Sequence, residues 1–323
     1  MSRFNPAYRQ TYTPSQIQQY FERVQLPKVY RDVVVATIAD TQEGLAFLHV
    51  LLKHQLAYVP FENLELHYSS HHTIALDPQH LFYKVVARNT GRGGYCMENS
   101  TLFGTVLKSL GFDVVTVGAK VNEAVQPIAA SPGWKGPVYD GWNHMLNIVT
   151  IAGTRYLVDV GFGSNGPTCP LPLAENRIVV NVGQQEMRLQ YKGIPDLTQT
   201  SQKLWVYQFR NGADQPWLPS YAFSEMEFTP NDFAMMNHFT STHRTSWFTY
   251  LVVCVKMVLE EGEIVGDITL FGNEVKKRVG DNSELLALCG SEEQRIAALE
   301  EFLHVKLDAA ERNGIHGMIT EIG

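Results

Sequence analysis

The spacing of apolar residues changes near Gly111, and this change constrains the fold more than any other feature of the chain. Before it, apolar residues recur at helical intervals, and Thr13-Pro14-Ser15-Gln16 is typical of a helix start with a capping box. Beyond it, short apolar runs of strand length are separated by turns that contain Gly or Pro. Because the two patterns follow each other and do not alternate, the sequence predicts an α+β fold and not a series of βαβ units.

The chain has 323 residues, which is more than a typical single small domain contains. Hydrophobic residues make up 45% and charged residues 18%, which permits a large core and excludes wholesale disorder. The pattern changes predict three domains, at residues 1–110, 111–204 and 205–323. The formal net charge of −7, with no basic tract, argues against a nucleic-acid-binding protein.

The chain shows no targeting or membrane signal. Residues 1–13 contain Arg3 and Arg9 without a following apolar run, so we expect no signal peptide. The most apolar segment, 251–259, is interrupted by Lys256 and is too short to cross a membrane. We therefore expect a soluble, cytoplasmic protein that has no membrane partner.

The four cysteines are Cys96, Cys169, Cys254 and Cys289. None forms a CxxC pair, so the sequence indicates neither a disulfide scaffold nor a zinc cluster. Cys96 differs from the others because it follows a glycine-rich loop at the predicted start of a helix. The free backbone N–H groups and the helix dipole at such a position favour a thiolate. From local context alone, a nucleophile and an ordinary buried cysteine remain equally open interpretations.

A predicted hairpin around Ala152-Gly153 offers partners for such a thiolate. If these two residues form the loop, Ile151 pairs with Thr154, and His144 and Asp159 then share one face of the hairpin. Diagonal neighbours of this kind lie roughly 7–8 Å apart by Cα, within reach of a His–carboxylate hydrogen bond. A buried histidine bonded to a backbone carbonyl, with an unrelated aspartate, is the alternative.

Several motifs resemble those of the arylamine N-acetyltransferase family. Its three signatures are similar to Arg92-Gly93-Gly94-Tyr95-Cys96, to Asn143-His144 before an apolar strand, and to segment 156–163. Segment 59–64 resembles the family's Pro-Phe-Glu-Asn motif, and segment 237–249 resembles its Thr- and Ser-rich segment. These five matches occur in the family's order and span most of the chain.

The resemblance implies a helical first part, a central β-barrel and a C-terminal α/β lid around a cysteine-protease-like catalytic core. It implies Cys96 as nucleophile, His144 as base and Asp159 as the residue that orients the base. The expected reaction is ping-pong transfer from acetyl-CoA, or a related acyl-CoA, to the nitrogen of arylamines, arylhydrazines or N-hydroxyarylamines, as in xenobiotic metabolism. An acyl-cysteine intermediate divides one slow transfer into two easier steps. No metal or prosthetic group is expected.

The resemblance also implies supporting and binding residues. Arg92 and Glu62 are expected to pair and to support the cysteine loop. The expected cofactor-binding residues are Gly141, Thr242 and Ser246. The expected substrate-binding residues are Phe61, Tyr95, Phe162 and Phe239. Aromatic residues at such places also occur as ordinary core, and hydroxyls as ordinary caps.

Two other classes of protein fit parts of the pattern. A papain-like or transglutaminase-like cysteine hydrolase shares the order Cys, His, Asp and would not depend on coenzyme A. A protein that binds coenzyme A or aromatic amines with little turnover is the other alternative. The loops at 125–140 and 164–185 vary within the family, so the acceptor and the acyl group stay open. The sequence does not specify the oligomeric state.

Overall fold

The computed structural model of the protein describes residues 9–136, 138–280 and 282–323. For segment 1–13 the sequence predicts no signal peptide, and residues 1–8 of it lie outside the described residues. The α-helices of the described part are α1 (Pro14–Arg23), α2 (Lys28–Arg31), α3 (Gln42–Tyr58), α4 (Leu64–Tyr68), α5 (Pro78–Phe82), α6 (Cys96–Ser109), α7 (Pro230–Thr242), α8 (Glu292–Leu303) and α9 (Ala309–Gly314). Among the described residues, no helix has both the length and the apolar character that a membrane crossing requires.

The two helix boundaries on which the sequence prediction depended are confirmed. The Thr13 side chain accepts from the Gln16 N–H, and the Gln16 side chain accepts from the Thr13 N–H, so the capping box is present. Helix α6 ends before Gly111, whose φ of +94° lies in the region that glycine tolerates best. The helical first part therefore follows from local sequence signals.

The strands of the described part form two antiparallel sheets. In chain order they are β1 (Phe61–Glu62), β2 (Asp113–Val121), β3 (His144–Ile151), β4 (Thr154–Val158), β5 (Leu171–Pro172), β6 (Val179–Val180), β7 (Glu186–Lys192), β8 (Leu204–Arg210), β9 (Leu218–Glu227), β10 (Val253–Glu260), β11 (Glu263–Phe271), β12 (Glu274–Val279) and β13 (Asn282–Leu288). One sheet has the order β5-β4-β3-β2-β9-β8-β7-β6 and forms a nearly closed barrel. The other has the order β1-β10-β11-β12-β13 and packs with α8 in the C-terminal α/β part. The α+β class predicted from the sequence is confirmed.

The hairpin between β3 and β4 has the predicted register. Ile151 pairs with Thr154, and Asn147 pairs with Val158. Ala152 and Gly153 both have positive φ, at 50° and 73°, as a two-residue type I′ turn requires. The register places His144 and Asp159 on one face, as the sequence analysis expected.

Several elements were not predicted, and the two that bear on the barrel and the site lie between residues 218 and 242. Strand β9 contains Pro219 and four polar residues, which obscure its alternation, and α7 has two threonines and two asparagines among its 13 residues. The predicted boundary near residue 205 falls at the start of β8, which pairs with both β7 and β9. The barrel sheet therefore continues to Glu227, and the division into three domains stays a prediction.

One hydrophobic core joins the helical part to the barrel. It contains residues of α1, α3 and α6 together with Val114, Val149 and Val158 from β2, β3 and β4. Because α6 packs directly against β3, the first residue of the helix, Cys96, is brought beside the first residue of the strand, His144. This packing positions the candidate site.

Candidate active site

The loop before Cys96 is held by the segment that carries the Pro-Phe-Glu-Asn motif. The Gly94 N–H donates to the Pro60 carbonyl at 3.3 Å, and the Glu62 N–H donates to the Gly94 carbonyl at 3.0 Å. A Cβ atom at Gly93 would lie 2.0 Å from the Pro60 carbonyl oxygen, so only glycine fits there. The two motifs that lie far apart in the sequence form one local structure.

Cys96 is almost fully buried, with 3% of its surface exposed, and its Sγ lies 3.7 Å from the carbonyl oxygen of Asn143. Gly161, which follows the end of β4, packs against the cysteine backbone. A Cβ atom at Gly161 would lie 2.6 Å from the Cα of Cys96. This close approach brings the end of the hairpin against the start of α6.

His144 and Asp159 are joined by a buried hydrogen bond of 2.8 Å between Nε2 and Oδ2. The other carboxylate oxygen, Oδ1, accepts from the Gly161 N–H at 2.9 Å, which fixes the carboxylate in place. The imidazole ring also contacts Phe162 and Tyr221, with ring centroids 5.4 and 5.1 Å apart. Because Nε2 is used by Asp159, Nδ1 is left for the thiol.

The electrostatic environment of His144 favours its charged form. Burial alone would lower the pKa, but the Asp159 carboxylate and hydrogen bonds to Asp159 and Cys96 outweigh it and raise the pKa of His144 to about 10. An imidazolium near neutral pH stabilises an adjacent thiolate. A thiol with a histidine and a carboxylate in this order can act as an activated nucleophile.

A buried charge cluster lies behind the cysteine loop, and Arg92 is at its centre. Its guanidinium donates to Glu62 at 2.9 Å, to Glu65 at 3.1 Å and to Glu311 at 2.8 Å. Burial would raise the pKa of Glu62, but Arg92 and Lys84 hold it at about 2. Arg92 and Glu62, predicted as a supporting pair, thus contact each other directly.

Lys84 and Glu98 complete the cluster, and the sequence analysis missed both. The Lys84 Nζ donates to Glu98 at 2.7 Å, and the second oxygen of Glu98 accepts from the Tyr95 N–H at 3.0 Å. Burial of Glu98 raises its pKa to about 7, in spite of the opposing effect of Lys84. A lone charged residue in a helix is usually solvated, so neither residue carried a sequence signal of its burial.

A cavity of about 200 Å³ opens on Cys96 and His144. Of the predicted substrate-binding residues, it is lined by Phe61 and Phe162. Trp247 and Phe248 also line it, and the sequence analysis had named them only as part of a motif. Its polar lining residues are Gln126, Asn143, Ser164, Asn165 and Thr269.

The remaining predicted residues lie outside the lining of that cavity. Gly141, Ser246 and Phe239 line an adjoining cavity of about 350 Å³. The lining residues that it shares with the first are Gln126, Asn143, Trp247 and Phe248. Tyr95 is fully buried, and its hydroxyl donates to the side chain of Asn237.

Thr242 lines neither of these two cavities. Its side chain is exposed and donates to the His238 carbonyl within α7. Of the three predicted cofactor-binding residues, Gly141 and Ser246 therefore line one cavity, whereas Thr242 lines neither cavity.

Alkylation should distinguish Cys96 from the other three cysteines. Burial raises the pKa of Cys169 to about 11 and also raises the pKa of Cys254 and Cys289, which keeps all three as thiols at neutral pH. Cys96 lies instead beside an imidazolium. We expect iodoacetamide at neutral pH to modify Cys96 at least about tenfold faster than each of the others. Peptide mass spectrometry over a time course measures the four rates.

The control for this labelling is Asp159→Asn. Without the carboxylate, the main cause of the raised pKa of His144 is lost, so Cys96 should react more slowly while Cys169 is unaffected. Equal rates at all four cysteines of the unmodified protein would contradict an activated thiolate at Cys96.

Comparisons with known proteins agree with this geometry. The family model described as N-acetyltransferase matches residues 44–312. An N-malonyltransferase, FDB2, of Fusarium pseudograminearum is 39% identical over 318 residues, 94% of this chain and 92% of the relative. Arylamine N-acetyltransferase 2 of Macaca mulatta is 29% identical over 244 residues, 74% of this chain and 76% of the relative.

Solved structures share the fold over nearly the whole chain. The Nocardia farcinica arylamine N-acetyltransferase has a TM-score of 0.74 at 25% identity, covering 98% of this chain and 99% of its own. The Mycobacterium marinum enzyme, solved in complex with CoA, has a TM-score of 0.73 at 24% identity, covering 95% and 99%. With the family model matching most of its length, this chain belongs to the arylamine N-acetyltransferase family.

Proposed function

We propose that the protein transfers an acyl group from an acyl-CoA to the nitrogen of an aromatic amine through an acyl-cysteine at Cys96. The observation that carries the proposal is the buried 2.8 Å hydrogen bond between His144 and Asp159 beside the Cys96 thiol. A hydrolase would need the same three residues. Membership of an acyltransferase family favours transfer over hydrolysis.

The first half-reaction forms the acyl-cysteine. The Cys96 Sγ attacks the thioester carbonyl, the carbon–sulfur bond of the acyl-CoA breaks, and the leaving coenzyme A sulfur takes a proton from His144. Asp159 keeps the imidazole oriented and compensates its charge in the intervening state. The aromatic rings of Phe162 and Tyr221 pack on His144 and help to hold the imidazole in place during this step.

The second half-reaction forms the amide. The amine nitrogen attacks the cysteine thioester, His144 accepts the amine proton, and the acylated amine leaves with Cys96 restored. Phe61, Phe162, Trp247 and Phe248 line the cavity on Cys96, and they offer flat apolar surfaces suited to an aromatic ring. Arylamines, arylhydrazines and N-hydroxyarylamines are the proposed acceptors.

The acyl group that we propose is malonyl in preference to acetyl. The N-malonyltransferase is 39% identical over 94% of this chain, whereas the mammalian acetyltransferase is 29% identical over 74%. The cavity lining includes the Ser164 hydroxyl and the Asn165 amide, which can donate hydrogen bonds to a malonyl carboxylate. Thr269 lies 3.4 Å from the Ser164 hydroxyl but donates its own hydroxyl to Asp267 at 3.1 Å, which leaves Ser164 and Asn165 as the proposed donors.

Mass spectrometry of the acyl-enzyme tests both parts of this proposal. The protein is mixed separately with acetyl-, propionyl- and malonyl-CoA in the absence of amine. We expect a mass gain on the Cys96 peptide, with malonyl-CoA reacting fastest because the carboxylate adds hydrogen bonds in the cavity. Cys169→Ala, which alters a cysteine outside the site, should retain the adduct.

Different outcomes test the preferred acyl group and the acyl-cysteine mechanism. Faster labelling by acetyl-CoA would reject malonyl as the preferred acyl group but would leave the acyl-cysteine mechanism intact. If none of the three donors labels Cys96, transfer from acyl-CoA through this residue is wrong, and release of amine from amide substrates would favour the hydrolase.

A further inference from the structure

A third cavity, of about 550 Å³, lies apart from Cys96 and shares no lining residue with the two cavities described above. It is lined by parts of α1, of the turn before the cysteine loop, of β10 and of the C-terminal end of α8. Two cationic side chains, Arg23 and Lys256, line it together. Nothing in the proposed acyl transfer uses this cavity.

Arg23 is held rigidly by three backbone carbonyls. Its Nε donates to Val85 at 2.8 Å, one Nη donates to Tyr58, and the other donates to Arg92 at 3.0 Å. A guanidinium has five N–H groups, so these three bonds leave about two free to bind a ligand. The carbonyls carry no net charge, and the positive charge of Arg23 is therefore not neutralised by them.

Lys256 has no hydrogen-bond or ion-pair partner among residues 9–136, 138–280 and 282–323. It is half-buried in β10. Burial, and then the charge of Arg23, lower the pKa of Lys256 to about 8. Glu22, the single carboxylate among the described lining residues, is exposed. Two like charges thus face one cavity, and an anion between them would remove their repulsion.

We propose that this cavity binds a small, doubly charged oxyanion of the phosphate type. The charge of such an ion matches the two positive charges of Arg23 and Lys256. Its oxygens can accept hydrogen bonds from the free N–H groups of both side chains. Amide side chains at Gln19, Gln25 and Asn89 line the same cavity and can supply further hydrogen bonds. The site is distinct from the acyl-transfer site because the two share no lining residue.

Calorimetric titration with inorganic phosphate at about pH 8 tests the proposal on the whole protein. We expect Lys256→Met to weaken phosphate binding about tenfold or more, because a charge-assisted contact is lost while the aliphatic stem remains. Lys256→Arg should retain most of the affinity, since it keeps the charge. Lys203→Met, an exposed lysine outside the cavity, is the matched control and should bind as the unmodified protein does.

A second measurement distinguishes a direct contact between Lys256 and phosphate from a purely structural role of Lys256. Phosphate should raise the pKa of Lys256, so its binding near pH 8 should take up protons, and the measured enthalpy should depend on the buffer. The proton uptake should vanish in Lys256→Arg even though phosphate still binds. Such a pattern would not follow from a change in folding.

Three results would overturn the proposal. They are no measurable binding of phosphate to the unmodified protein, equal binding by Lys256→Met, and loss of phosphate binding when coenzyme A is added at saturation. The last would mean that phosphate occupies the coenzyme A site. Because none of these results depends on acyl transfer, the proposed function is tested independently.

Discussion

Replacing Cys96 by alanine should abolish acyl transfer while the fold is retained. Loss of the nucleophile removes the acyl-cysteine step altogether, and we expect the rate of amine acylation to fall by about 10⁴-fold or more. The structural cost is small because alanine preserves the Cα that packs against Gly161 and removes only one buried sulfur atom. The measurement is amine-dependent release of coenzyme A, compared with thermal unfolding of the same preparations.

Two further variants test whether the loss of activity is specific to the Cys96 thiol. Cys169→Ala should acylate at the unmodified rate, because Cys169 lies outside the lining of the cavity on Cys96. Cys96→Ser should be nearly as inactive as Cys96→Ala, since a hydroxyl is a much weaker nucleophile than a thiolate. If Cys96→Ala acylated an arylamine within tenfold of the unmodified rate, the acyl-cysteine mechanism would be wrong.

The local parts of the site could be predicted from the sequence because each is a short-range pattern. The start of α6 at Cys96 follows from the glycine-rich loop, and the register of β3 and β4 follows from Ala152-Gly153. Once the register is known, the alternation of side chains places His144 and Asp159 on one face.

The parts that were not predicted depend on contacts between distant segments. Lys84 and Glu98 are 14 positions apart in the sequence, and their burial depends on how α6 packs over the turn after α5. The pairing of Arg92 with Glu311 joins the cysteine loop to α9, near the other end of the chain. Charged residues of this kind have the same local pattern whether they are solvated or buried, so only the fold distinguishes the two.

We expect the burial of Arg92 to contribute more to stability than an exposed ion pair such as that of Arg155 with Glu225. Its guanidinium contacts three carboxylates, and Arg92 and Glu62 are only 1% and 0% exposed. Arg92→Met keeps a side chain of similar length but leaves these acids without their main partner. Removing one partner of a buried pair leaves an uncompensated charge, so we expect the free energy of unfolding to fall by about 3–5 kcal/mol.

Urea unfolding near pH 7 measures this effect, with Arg155→Met as the matched control. Arg155 pairs with Glu225 while its own side chain is 48% exposed, and the loss of such a pair should cost less than about 1 kcal/mol. A destabilisation of Arg92→Met no larger than that of the control would mean that the cluster is not a major source of stability.

The effect of Arg92→Met should also depend on pH, with a sign that follows from Glu62. In the unmodified protein the pKa of Glu62 is about 2, below the value of an unfolded glutamate, so its contribution to stability is present above roughly pH 4. Arg92 is the largest of the effects that oppose burial, so without it we expect burial to raise the pKa of Glu62 above the unfolded value in spite of Lys84, which turns the contribution into a penalty at neutral pH. Protonation then relieves the penalty, so the difference in unfolding free energy between the two proteins should narrow as the pH falls from 7 to 5. A difference that stayed constant or widened over this range would show that Glu62 does not carry the uncompensated charge.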